Sequence, residues 1–128
     1  MQVQQSPFAE KIIDGKKFSR RVHGVKINAV VGLNTLDFIV PYANSMISRV
    51  EVVGISECDT ANFYILDAQE NILNQHGYDV VLSGSYYEQK SEFAGDLLQG
   101  MILRCEVNAQ NIGTIGVNYI LTQVEPIE

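Results

Sequence analysis

At 128 residues the chain is the size of one domain, and its 46% apolar and 19% charged residues match a folded globular protein rather than a disordered one. No stretch approaches the roughly 18 consecutive apolar residues of a membrane-crossing helix. Met1 to Pro7 lacks the basic start and apolar run of a secretory signal. A net charge of −6 argues against a general nucleic-acid binder, and two cysteines, Cys58 and Cys105, are too few for a disulfide framework.

The charge is unevenly spread. Residues 1–24 carry five basic side chains (Lys11, Lys16, Lys17, Arg20, Arg21) against Glu10 and Asp14, whereas the rest of the chain carries four against thirteen. This predicts a basic N-terminal arm over 1–24 on an acidic body over 25–128, suited to docking on an acidic surface such as a neighbouring copy. Within the arm, Phe8, Ile12 and Ile13 are spaced for one or two amphipathic helical turns, closed by Asp14-Gly15. Such a short helix is marginal in water unless it lies on a partner.

From Phe18 onward the apolar period is two, the period of strands. Val25, Ile27, Ala29 and Val31 alternate with Lys26, Asn28 and Val30. Gly32 to Thr35 is predicted as a turn, after which Leu36, Phe38 and Val40 resume the alternation until Pro41 stops it. Ile47 to Ile55 sets Val50 and Val52 against Arg49 and Glu51. Phe63 to Leu66 leads into a polar turn at Asp67 to Asn71, followed by Ile72-Leu73 and, after His76-Gly77, a separate strand over Tyr78 to Leu82. Tyr86-Tyr87 is a short strand, and Phe93 to Gly100 an irregular connection. Met101, Leu103, Cys105 and Val107 then alternate with polar residues, as do Ile115, Val117, Tyr119 and Leu121, and the two runs are predicted to form a hairpin around Gln110 to Thr114. Seven or eight strands without a strong helix outside the arm predict an all-β, antiparallel two-sheet sandwich, of jelly-roll or other Greek-key type, with an extended N-terminal arm.

Catalytic patterns are missing. His23 and His76 lie beside glycines and are predicted in exposed turns; Ser83-Gly84-Ser85 lacks the frame and following helix of a nucleophile elbow. No zinc spacing, calcium loop or phosphate-binding glycine motif occurs, so neither an enzyme nor a cofactor is expected. Cys105, in an alternating run, is predicted to be a buried free thiol. The acidic body would repel phosphates, which leaves Lys16 to Arg21 as a weak candidate for nucleic acid. Tyr42, Tyr78, Tyr86 and Tyr87, with the loop acids Glu57, Asp59, Asp67, Glu70 and Asp96, make an alternative: a carbohydrate- or ligand-binding sandwich, with or without calcium.

Tyr78 to Leu82, Phe93 to Gly100, Met101 to Asn108 and Gly116 to Leu121 together resemble the small sandwich proteins of tailed-bacteriophage virions, over residues 46–124. The resemblance implies a non-enzymatic decoration or head-to-tail adaptor component. Such a protein would assemble in the host cytoplasm, as a homo-oligomer and with other virion proteins such as the major capsid protein. On that expectation Phe8, Ile12 and Ile13 anchor the arm and Lys16, Lys17, Arg20 and Arg21 pair with a neighbour's acids.

Overall fold

A computed structural model describes residues 9–54, 59–82, 86–89 and 96–126. Ten antiparallel strands are present among them: β1 (Ala9–Ile13), β2 (Lys16–Ala29), β3 (Gly32–Ile39), β4 (Asn44–Val53), β5 (Asp59–Leu66), β6 (Ile72–Leu82), β7 (Tyr86–Gln89), β8 (Asp96–Leu98), β9 (Ile102–Ala109) and β10 (Gly113–Pro126). A six-stranded sheet runs β1-β2-β10-β4-β7, with β8 also against β4, and a four-stranded sheet runs β3-β9-β5-β6. The pairs β2–β10, β3–β9, β4 with β7 and β8, and β5–β6 are nested, as in one long hairpin rolled across two layers. That order is a jelly roll, the first of the two predicted sandwich types.

The core lies between the sheets and follows the alternation of the strands. Leu36, Phe38, Phe63, Ile65, Leu103, Cys105 and Val107 descend from the four-stranded sheet onto Val50, Val52, Val117, Tyr119 and Leu121 from the six-stranded one, all nearly or fully buried. Full burial of a Leu, Val or Phe side chain contributes about 1.5–3 kcal/mol, so this cluster supplies most of the driving force for folding. Cys105 is a free, buried thiol, as predicted; burial first, and the neighbouring Glu106 carboxylate second, push its pKa well up.

The structure departs from the sequence-based expectations at several places. Residues 9–13 are a strand instead of helical turns, because Asp14 (φ 50°) and Gly15 (φ 74°) form a two-residue turn with both φ positive, pairing Ile13 with Lys16. Asp-Gly is the sequence preference of that hairpin turn. The boundary expected at residue 24 falls inside β2, which pairs unbroken with β10 from Lys16 to Ala29. The turn expected at Gly32 to Thr35 sits earlier, at Val30-Val31, where the Asn34 side chain accepts a bond from the Val30 amide (2.9 Å) and donates to the Val30 carbonyl (2.8 Å). Ile72 to Leu82 is one strand through His76-Gly77, and Asp96 to Leu98 is a short strand in place of a loop. The predicted hairpin between the last two runs does not form: β9 pairs with β3 and β5, β10 with β2 and β4. Alternation reports that each strand has one buried face. It carries no information on which strand lies alongside.

Candidate interface on the outer face of the six-stranded sheet

Register and pleat divide the predicted arm residues between two faces. In β2 the odd-numbered side chains at Ser19, Arg21, His23 and Ala29 turn toward the core side, and the even-numbered Lys16, Phe18, Arg20, Val22 and Lys26 turn outward. On β1, Ile13 and Lys11 lie beside Lys16 and Phe18, on the outer face; Ile12 lies beside Lys17, on the other. The structure thus gathers Ile13, Lys16 and Arg20 and separates them from Ile12, Lys17 and Arg21. Phe8 lies outside the described residues.

Of the inward set, Arg21 and Lys17 have partners within the protein, while Ile12, at the sheet edge, is 68% exposed. Arg21 donates from Nε to Gln123 Oε1 (2.9 Å) and stacks its guanidinium 5.6 Å from the Tyr42 ring centre. Lys17 Nζ pairs with Glu10 at 3.5 Å, a surface contact of small energetic weight. His23, expected in an exposed turn, is instead buried in β2, with Nε2 2.7 Å from the Tyr42 hydroxyl and its ring stacked on Phe38 at 4.7 Å. Burial raises the pKa of Tyr42, opposed by the Arg21 charge. Deep in this polar end of the core, the Ser19 and Ser45 hydroxyls have no hydrogen-bond partner among the described residues.

The outward set continues across three more strands. β10 places Val124 beside Phe18 and Thr122 beside Arg20; β4 places Met46 beside Thr122; β8 places Asp96 beside Met46. Leu98, paired with Asn44, completes an apolar strip of Phe18, Val124, Met46 and Leu98 flanked by Lys11, Lys16 and Arg20. Ile13, Met46 and Leu98 are 43%, 38% and 50% exposed. Two shallow concavities hollow this face, one of about 540 Å³ lined by Lys11, Ile13, Phe18 and Arg20 among others, the second of about 630 Å³ between Lys16, Met46, Asp96, Leu98 and Val124. Sequence reasoning found the cations but not Phe18, Met46, Leu98 and Val124, which only β-pairing brings together. The available signal was Phe18 and Val22 standing at the otherwise polar even positions of β2.

Other predicted candidates are placed differently. Tyr42 is buried and bonded to His23, so its ring is not open to a sugar. Of Tyr78, Tyr86 and Tyr87 the structure describes the backbone in β6 and β7. Asp67 closes its own turn: Oδ1 accepts from the Gln69 and Asn71 amides (both 2.9 Å) and Oδ2 from Asn71 Nδ2 (3.0 Å), with the Asn71 side chain contributing most to a lowered pKa. Glu70 pairs with Arg104 at 2.6 Å. Asp59 begins β5 and Asp96 lies in β8, while Glu57, Cys58 and Ser83 to Ser85 lie outside the described residues. Among the described residues no three His, Cys, Asp or Glu side chains gather as a metal site.

No family model and no curated protein matches the sequence. Among solved structures, the chain is similar to the enzymatically active domain of tailspike protein 4 of bacteriophage CBA120, at 10% identity and a TM-score of 0.38, over 97% of this chain and 19% of that one. The chain therefore spans about a fifth of the length of that structure.

Proposed function

We propose that this chain is a non-enzymatic structural component of a virion, a decoration or adaptor protein that assembles through protein–protein contacts on the outer face of its six-stranded sheet. The supporting observation is the strip of Phe18, Met46, Leu98 and Val124, with Met46 and Leu98 exposed and Phe18 and Val124 partly buried, bordered by Lys11, Lys16 and Arg20. A sheet face that needed only to be wet would carry polar residues at those four positions. Charge at the rim selects and orients a partner while the apolar centre supplies the affinity.

Particle incorporation tests this. Particles from a producing cell, purified on a density gradient, should contain the wild-type chain in fixed copy number by quantitative peptide mass spectrometry. A Lys16→Glu/Arg20→Glu variant, folded by circular dichroism, should remain in the soluble fraction. A wild-type chain absent from particles would refute the reading. Deleting residues 1–24 is a poor substitute, because it removes β1 and most of β2 from the sheet.

A further inference from the structure

The two outer faces of the sandwich carry opposite charge. Among the described residues, the outer face of the six-stranded sheet presents Lys11, Lys16, Arg20, Lys26 and Arg49 against Glu51 and Asp96. The outer face of the four-stranded sheet presents Asp37 on β3 and Arg104 and Glu106 on β9, joined by Glu70 from the turn after β5. Among the described residues its one cation is already neutralised: Arg104 donates from Nε and Nη2 to Asp37 at 2.8 and 2.9 Å and from Nη2 to Glu70 at 2.6 Å. What this face shows a partner is therefore acidic. It also exposes apolar side chains at its margins, with Leu33, Ile39 and Ile72 at 63%, 52% and 58%.

We propose that the cationic outer face of the six-stranded sheet docks on the acidic outer face of the four-stranded sheet in a second copy of this chain. The inference rests on the assembly reading above and names its partner surface. Both faces combine exposed apolar residues with a net charge, and the charges are complementary rather than alike, which opposes face-to-same-face pairing. Tyr64, Leu66, Ile72 and the Glu70, Arg104 and Glu106 side chains line a cleft of about 190 Å³ on this face, where the Arg104 charge is taken up by Asp37 and Glu70 and Glu106 remains to meet the end of a lysine side chain from the neighbour. Because donor and acceptor surfaces lie on opposite sides of one sandwich, each copy can engage two neighbours. The contact is heterologous and builds a ring or stack, not a closed two-fold dimer.

The test is the native mass of the full chain by sedimentation over a concentration series, at low and moderate salt. Wild type should associate, with apparent affinity falling at least tenfold on raising the salt. Lys16→Glu/Arg20→Glu should be monomeric, and so should Glu106→Lys. An equimolar mixture of the two variants should regain association, since each retains one native face. Association of Glu106→Lys alone at wild-type strength would overturn the acidic acceptor while leaving the cationic face as a contact for something else. A wild-type monomer at every concentration and salt would overturn self-docking outright, and the particle experiment would then show whether the cationic face meets a different virion protein.

Discussion

Tyr119 is fully buried in β10, 6.1 Å from the Phe38 ring, and its hydroxyl has no hydrogen-bond partner among the described residues. Leaving a buried hydroxyl unpaired costs about 1–3 kcal/mol, whereas removing it leaves the ring and its packing intact. Tyr119→Phe should therefore stabilise the fold, by about 1 kcal/mol at pH 7 once the small void left by the oxygen is allowed for, or about 4 °C in Tm. The effect has a pH signature. Burial holds the phenol neutral well above its ordinary pKa of 10.0, and the Asp37 charge acts in the same direction. Above pH 10 the unfolded tyrosine loses a proton that the folded one keeps, so wild-type stability falls by about 1.4 kcal/mol per pH unit through this group. Cys105 has the same sign, its loss beginning near its ordinary value of 9.0, but it is common to both proteins and cancels in their difference. The gap between variant and wild type should thus hold at about 1 kcal/mol from pH 7 to pH 9 and widen as the pH rises through 10. Urea unfolding followed by circular dichroism at pH 7, 9, 10 and 11 measures it. A variant less stable than wild type at pH 7 would mean that the hydroxyl is hydrogen-bonded in the core, and a gap flat with pH would mean that the phenol ionises as readily folded as unfolded and is not buried.

Two further perturbations probe the frame that holds the faces apart. Gly54 has φ +76° and a Cβ there would lie 2.3 Å from the Thr114 carbonyl oxygen, so Gly54→Ala should cost about 1–3 kcal/mol in urea unfolding, and an unchanged midpoint would refute the close approach. Cys105, buried and held as the neutral thiol, should resist a thiol-alkylating reagent at pH 8 until urea unfolds the chain, as read by peptide mass spectrometry; labelling of the native protein at the rate of a free thiol would refute its burial.

The class of fold and most of the strands were legible in the amino-acid pattern alone. Period-two alternation in β3, β4, β9 and β10 named the buried residues, because each of these strands buries one face and Leu36, Val50, Leu103 and Tyr119 all stand on it. Pro41 ended β3 by chemistry that acts within one residue, and Asp14-Gly15 carried its hairpin turn just as locally, although the short apolar group before it imitated a helix. Partnership between strands was not legible. β9 and β10 are neighbours in sequence and belong to different sheets, a choice made by how the whole chain rolls up rather than by any residue in the turn between them. The same long-range pairing buried His23 against Tyr42 and Phe38, residues a strand and a loop away, where its neighbouring glycine had suggested a turn. It also set Phe18, Met46, Leu98 and Val124 side by side from four strands, and put the basic residues and the Arg104 cluster on opposite faces. Local propensity and pattern act over a few residues, whereas a face is an object that exists only once distant strands share a sheet.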